Sequence, residues 1–322
     1  MIPQNIENKV ICIFGPTGVS KTKTAIHLAK NMGEIISADS MQIYKDMDIG
    51  TNKTTFDEMK GIPHHLINIV EPHIYYSARH FQNDANQLIR EIQHRGNIPF
   101  VVGGTGLYFK ALMFGLFDGP SRDDTIRSQI EDEINVKGVE YLYNELQTID
   151  PEAAHKIHSN DKKRIIRALE VYRITKKPIS HFWKLQSNKE THNFLKIGLT
   201  ADRKELYQKI EERCDQMIQN GFIEEVKRLK EMGYSLSHQS MQAIGYKHFL
   251  KHLEGETNLN ETIRLFKRDT RRYAKRQWTL FLSFNNTNWF YPNEIDKMEQ
   301  LINNFIHNKT NVSHNNMVST II

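Results

Sequence analysis

Residues 10–22 read Val-Ile-Cys-Ile-Phe-Gly-Pro-Thr-Gly-Val-Ser-Lys-Thr, an apolar run followed by a loop of small residues that ends in Lys-Thr. A helical pattern takes over at once, across Thr24–Lys30. Strand, small-residue loop and helix in that order make the geometry that cradles a polyphosphate. Loop amides and the helix N-terminus face the anion, Lys21 reaches its outer oxygens, and the Thr22 hydroxyl can hold Mg²⁺. The pattern G-x-x-x-x-G-K-[ST] is met at Gly15, Lys21 and Thr22, with Pro16, Thr17, Gly18 and Val19 between them. Ser20 stands where the pattern has glycine. If that position needs a positive φ, a serine there costs about 1 kcal/mol of backbone strain. A phosphorylated ligand, with Mg²⁺ beside it, is the expectation this stretch sets.

Outward from the loop, the first hundred residues repeat strand-then-helix units. Short apolar runs at Glu34–Ser37, His65–Val70 and Ile98–Val102 alternate with helical patterns. The clearest helix is Ala78–Arg95, with Phe81, Ala85, Leu88, Ile89 and Ile92 on one face. That order predicts an α/β fold, a P-loop NTPase-like parallel sheet with helices on both faces. Residues 1–119 form the first part of this core. Residues 120–194 are charged, helix-patterned and free of strand-like runs, and read as a helical insertion. Leu195–Thr200 returns to the sheet, followed by helices through about Asn220 and Met232, so that 195–302 continues the core. The Asn-rich stretch 303–322 reads as a disordered tail.

At 322 residues, with 39% hydrophobic and 25% charged residues, the chain has the composition of a soluble globular protein. No apolar run approaches the ~18–20 residues of a membrane span. The stretch Met1–Glu7 has neither a basic nor an apolar signal region, so a cytoplasmic location is expected and no membrane partner. Cys12 and Cys214 are too few for a disulfide framework or a zinc site. A net charge of +5 permits nucleic-acid binding without demanding it.

The charge is unevenly placed. Arg264, Lys267, Arg268, Arg271, Arg272, Lys275 and Arg276 fall on one face of a helix over Ile263–Phe281, with Asp269 as the counter-charge within the stretch. Contact with a phosphate backbone and a solvated charged face both account for such a run. Asp39 follows the second strand, at the sheet edge where ligands of open α/β folds bind. There it could ligate Mg²⁺, act as a general base or cap a helix. A second glycine loop, Gly103-Gly104-Thr105-Gly106, follows the fourth strand at the same edge and offers a close backbone approach and a hydroxyl. A kinase would instead carry an acidic residue at that strand's end.

The motifs occur in a specific order: the phosphate loop, then Ser-Ala-Asp-Ser-Met-Gln-Ile-Tyr-Lys-Asp-Met-Asp-Ile-Gly-Thr-Asn-Lys (37–53), Gly-Ile-Pro-His-His-Leu (61–66) and Gly-Gly-Thr-Gly-Leu-Tyr (103–108). They continue with Asn-Asp-Lys-Lys-Arg-Ile-Ile-Arg-Ala-Leu-Glu-Val-Tyr (160–172), Ala-Ile-Gly-Tyr-Lys (243–247) and Ala-Lys-Arg-Gln-Trp-Thr (274–279). This set resembles the tRNA dimethylallyltransferases, also called tRNA isopentenyltransferases, over roughly residues 9–285.

The resemblance implies transfer of a dimethylallyl group from dimethylallyl diphosphate to N6 of the adenosine 3′-adjacent to the anticodon in tRNA, with release of diphosphate. It implies that Gly15–Thr22 hold the diphosphate, with Lys21 stabilising the leaving group and Thr22 helping to hold Mg²⁺. Asp39 would take the amine proton, Thr105 would position the reacting groups, and Arg203 would be a second diphosphate contact. The implied tRNA contacts are Asp39, Ser40, Met41, Gln42, Arg127, Lys163, Arg164, Arg167, Gln242, Gly245 and Lys247, around an adenine drawn out of the anticodon-loop stack. A monomer is expected. Two other readings stay open: a phosphate-loop kinase of nucleotides or small metabolites that uses ATP, and a tRNA-binding relative whose loop is inactive because of Ser20.

Overall fold

The computed structural model describes residues 6–186 and 189–307, so Met1–Asn5, Ser187, Asn188 and the tail from Asn308 lie outside the described residues. The chain divides into two compact units. The first comprises the described residues up to Met113 and from Glu190 onward, and the second is Phe114–Lys189.

The first unit is built on six parallel strands: β1 (Lys9–Phe14), β2 (Gly33–Ala38), β3 (His64–His65), β4 (Ile98–Gly103), β5 (Asn193–Leu199) and β6 (Thr287–Phe290). Their order across the sheet is β3-β2-β4-β1-β5-β6. All residues of β1 and β4 are buried, as the unbroken apolar runs require of central parallel strands. Phe14 closes β1 opposite Gly103 on one side and Gly198 on the other. Its ring stacks on Phe281 with centroids 4.7 Å apart and meets Phe109 edge-on. Burying such a ring contributes about 2–3 kcal/mol, which makes Phe14 the anchor directly beneath the phosphate loop.

The sheet carries α1 (Lys21–Ala29), α2 (Phe56–Met59), α3 (Ala78–His94) and α4 (Gly106–Phe114). Ser77 caps α3 reciprocally with His80, and Phe81, Ala85, Ile89 and Ile92 form its buried stripe. Below the sheet, Glu34 receives Arg95 through two hydrogen bonds of 2.9 and 2.8 Å, and Asn97 and His65 as well. The Arg95 guanidinium holds that carboxyl down to about 2, tying the starts of β2, β3 and β4 together.

The second unit contains α5 (Asp124–Lys137), α6 (Val139–Ile149), α7 (Pro151–Lys156), α8 (Lys162–Thr175) and α9 (Ile179–Leu185), around a core that includes Ile130, Leu142, Leu146, Ile165 and Leu169. It begins and ends earlier than the expected 120–194. Phe117 packs into its core, and β5 already begins at Asn193. The first unit resumes with α10 (Arg203–Gln219), α11 (Phe222–Glu231), α12 (Tyr246–Leu253), α13 (Leu259–Leu282) and α14 (Ile295–Ile306).

Three sequence expectations are corrected. The third strand shrinks from His65–Val70 to His64–His65 because Leu66 and Asn68 adopt left-handed φ of 61° and 56°, which ends pairing. The edge strand β6 is additional. The stretch from 303 is helical through Ile306, and the rest of 303–322 beyond His307 lies outside the described residues. Among the described residues no helix is long and apolar enough to cross a membrane.

Candidate active site

A cavity of about 810 Å³ opens at the carboxyl edge of the sheet, within the first unit. Thr17, Gly18, Ser20, Lys21 and Thr22 line it from the phosphate loop. The other loop residues act from behind. A side chain on Gly15 would collide with the Leu199 carbonyl, Val19 is buried, and the Pro16 carbonyl accepts a hydrogen bond from Lys21 Nζ at 2.8 Å. Ser20 has φ 61° and ψ 29°, so this position is left-handed and the serine carries the strain anticipated from the pattern.

Two cations give the cavity its sign. Burial pushes the Lys21 ammonium down to about 7, with Arg213 adding to the shift and Asp39 opposing it. Arg213, on α10, donates from Nη2 to Thr17 Oγ1 at 2.5 Å, and its buried Nε has no partner. Burial also lowers the guanidinium's pKa. Neither cation forms an ion pair among the described residues. Unpaired cations on a concave surface are expensive unless an anion completes them, so this end of the cavity is built for a polyanion. Arg203 does not share it. That residue sits exposed at the start of α10, stacked 5.4 Å over Tyr207, whereas Arg213 of the same helix lines the cavity. The signal was present in the sequence: Arg213 lies on the apolar stripe of Leu206, Ile210, Cys214 and Met217.

Asp39 follows β2 and lines the same cavity with Ser40, Met41 and Gln42. Its Oδ1 accepts from the Met41 amide at 2.9 Å, which fixes the carboxylate and leaves Oδ2 available. Thr105 lies outside the cavity lining. Its Oγ1 accepts from the Ser40 amide at 3.0 Å and donates to Ser40 Oγ at 3.3 Å, so it acts on Asp39 by holding the loop behind it. Tyr273 lines the cavity near Asp39, and burial and that carboxylate push its phenol upward, keeping it a proton donor. Gln277 of α13, which the sequence reading passed over, accepts from the Thr17 amide and donates to the Gly104 carbonyl, both at 2.8 Å.

The expected RNA contacts divide. Gln42 and Gln242 line the cavity, whereas Gly245 is buried at φ 95°, where a side chain would press on the Phe222 ring. Lys247 lies on α12 just beyond. Within the second unit, Lys163 and Arg164 are exposed in the first turn of α8, where cations oppose the helix dipole. Arg127 and Arg167 are held at 3.1 and 2.7 Å by the buried Glu170 carboxylate. Those two serve the unit's own core. The basic face of α13 is also more neutralised than its sequence suggests. Lys267 pairs with Asp215 and Arg271 with Glu211 of α10, Arg264 pairs with Glu261, and Arg268 and Arg272 pair with Asp269.

Among the described residues no group of three or more His, Cys, Asp or Glu side chains could cage a metal. The Thr22 hydroxyl and Asp39 carboxylate on the cavity are oxygen donors of the kind Mg²⁺ takes when phosphate oxygens and water complete its octahedron. The residues therefore fit an ion that arrives with its ligand.

The IPP transferase family model matches residues 42–284. The tRNA dimethylallyltransferase of Acetivibrio thermocellus is 49% identical over 92% of this chain and 96% of its own length. That of Carboxydothermus hydrogenoformans is 51% identical over 88% and 92%. The crystal structure of the tRNA isopentenylpyrophosphate transferase from Bacillus halodurans superposes with a TM-score of 0.71 at 43% identity, covering 94% of this chain and 98% of that one. A eukaryotic dimethylallyltransferase acting on tRNA gives 0.79 at 32% identity, over 95% and 81%. With the sheet, the anion-binding loop and the relatives in agreement along nearly the whole sequence, the chain belongs to the IPP transferase family, that of the tRNA dimethylallyltransferases.

Proposed function

We propose that this protein is a tRNA dimethylallyltransferase that moves the dimethylallyl group of dimethylallyl diphosphate onto N6 of the adenosine 3′-adjacent to the anticodon. The observation that carries the reading is one cavity shared by two unpaired half-buried cations, Lys21 and Arg213, and one positioned carboxylate, Asp39. N6 attacks C1 of the allyl group, the C1–O bond breaks with its electrons leaving on the diphosphate, and the N6 proton passes to Asp39. Lys21, Arg213 and the loop amides stabilise the departing anion, which is where most of the barrier lies for a carbon that leaves with cationic character. Thr22 is the residue that would help hold Mg²⁺, whose contribution would be charge neutralisation on the diphosphate. Tyr273 and Thr105 keep the acceptor side of the cavity in register with the donor side.

Gln42 and Gln242 offer amide groups to bases splayed out of the anticodon loop, and Lys163 and Arg164 offer exposed charge to its backbone. The buried free thiols Cys12 and Cys214 suit the reducing cytoplasm.

Nucleoside mass spectrometry tests the reading. Unmodified tRNA with adenosines beside the anticodon is incubated with protein, Mg²⁺ and dimethylallyl diphosphate, with ATP in a parallel reaction. Dimethylallyl-adenosine in the digest is the expected product. ATP consumption without it would restore the kinase, and tight tRNA binding without turnover would mark an inactive loop. Asp39→Ala should keep tRNA affinity and lose turnover by ~10² or more, as removal of a general base does.

A further inference from the structure

We infer that Glu225, a residue of α11 outside the cavity lining, is a positioning residue that sets the tRNA-binding wall of the active site while leaving the diphosphate end untouched. The inference rests on the function proposed above.

Glu225 is 2% exposed and forms no ion pair among the described residues. A buried carboxylate without a cation is tolerated only when donors surround it. Here four converge. Oε2 accepts from the amides of Asp48 and Ile49 at 2.9 and 2.8 Å, and Oε1 accepts from the Gly50 amide at 3.2 Å and the Tyr246 hydroxyl at 2.6 Å. Three successive backbone amides turned onto one anion form the kind of nest that proteins use to bind ligands. In this chain the protein's own side chain fills it.

The consequence lies one layer further in. Gly50 is drawn so close to the Phe222 and Tyr246 rings that any side chain on it would collide with both. Gly50, Thr51 and Asn52 then face the cavity, and the Thr51 and Asn52 carbonyls accept from Gln42 Nε2 at 3.4 and 3.2 Å. Tyr246 carries the second segment, Gln242–Ile244, to the same cavity. One carboxylate thus joins residues 48–50 to Tyr246 and, through them, orients the Gln42 amide. This wall offers uncharged amide, hydroxyl and backbone groups, which suit hydrogen bonds to base edges. The diphosphate end is held by other contacts, among Thr17, Lys21, Arg213 and Gln277.

Glu225→Gln is the decisive variant, because even with its nitrogen turned toward the Tyr246 hydroxyl, which can accept, it meets the Gly50 amide donor to donor while keeping the volume. Dissociation constants are measured separately for tRNA and for inorganic diphosphate, alongside steady-state KM values for both substrates. We expect tRNA affinity to fall about tenfold and diphosphate affinity to stay within about twofold, with Tyr246→Phe shifting tRNA affinity about threefold the same way. Equal weakening of both ligands, or of neither, in a variant with unchanged circular dichroism overturns the inference. If Glu225→Gln fails to fold, Tyr246→Phe carries the same comparison. Because the binding constants need no turnover, a wild-type protein that yields no dimethylallyl-adenosine would sink the functional reading separately.

Discussion

Gln277 donates from Nε2 to the Gly104 carbonyl at 2.8 Å, an approach so close that any side chain on Gly104 would displace it. With its Oε1 accepting from the Thr17 amide, this one carboxamide joins the phosphate loop to the loop that carries Thr105. Gln277→Ala breaks both bonds and leaves the half-buried Thr17 amide and the buried Gly104 carbonyl without this partner. Single-turnover prenylation should slow by about 10–100-fold, since small misplacements at a reacting centre are costly. Gly104→Ala should match it by pushing the amide away, and a Gln277→Ala rate near that of the wild type would contradict the coupling.

The parts of this site that were legible in sequence are those whose chemistry is local. A strand, a small-residue loop and Lys-Thr are read from adjacent residues, as is Asp39 at the end of β2. Arg213, Gln277 and Glu225 were not read, because each works across more than a hundred positions: Thr17 to Arg213, Gly104 to Gln277, Asp48 to Glu225. All three had a trace in the helical pattern. Gln277 falls on the stripe Phe266, Thr270, Ala274 and Phe281, and Glu225 lies among Phe222, Val226 and Leu229. A polar residue inside an apolar stripe is where a helix leaves its structural role. The seven cations of α13 misled for the converse reason, since their counter-charges Glu211 and Asp215 lie on another helix.

Ser20 is strained at φ 61°, and Ser20→Gly removes the Cβ that causes it. The gain is about 1 kcal/mol in the folded loop, offset in part by the greater freedom of glycine in the unfolded chain. Because the strain sits in the diphosphate loop, KM for dimethylallyl diphosphate should fall about two- to fivefold with kcat little changed. Steady-state kinetics with the diphosphate varied decides this, and an increase in KM would mean that the Ser20 hydroxyl itself serves the ligand.

Lys21 gives the site a pH signature. Its pKa of about 7 lies below the ordinary 10.5, mainly through burial. Between those values the unfolded chain holds the proton that the native Lys21 has released, so its contribution makes stability rise with pH across that window. Below about pH 7 the buried charge exerts its full penalty. A bound diphosphate reverses the shift by pairing the ammonium. At pH 8, calorimetry in two buffers of different ionisation enthalpy should therefore find proton uptake on binding, absent for Lys21→Arg. Equal heats in both buffers for the wild type would remove Lys21 from the titration.

The charge pattern of α13 makes opposite predictions for cations on one helix. Lys267 and Arg271 are committed to Asp215 and Glu211, whereas Lys275 and Arg276 are exposed and form no ion pair among the described residues. Arg276 also lines the cavity and lies 5.9 Å from the Tyr273 ring centroid. A cation that neutralises a phosphate releases counterions and steepens the salt dependence of binding. One already paired within the protein does neither. Removing Lys275 or Arg276 should weaken tRNA binding and lower the slope of log K against log salt by about 0.7–0.9 each, depending on strandedness. Lys267→Ala and Arg271→Ala should leave that slope unchanged and lose only stability, about 0.5–1 kcal/mol as partly exposed pairs do. Filter binding across a salt series separates the two classes. A slope that drops for Lys267→Ala as it does for Lys275→Ala would show that the ion pairs to α10 open when tRNA docks.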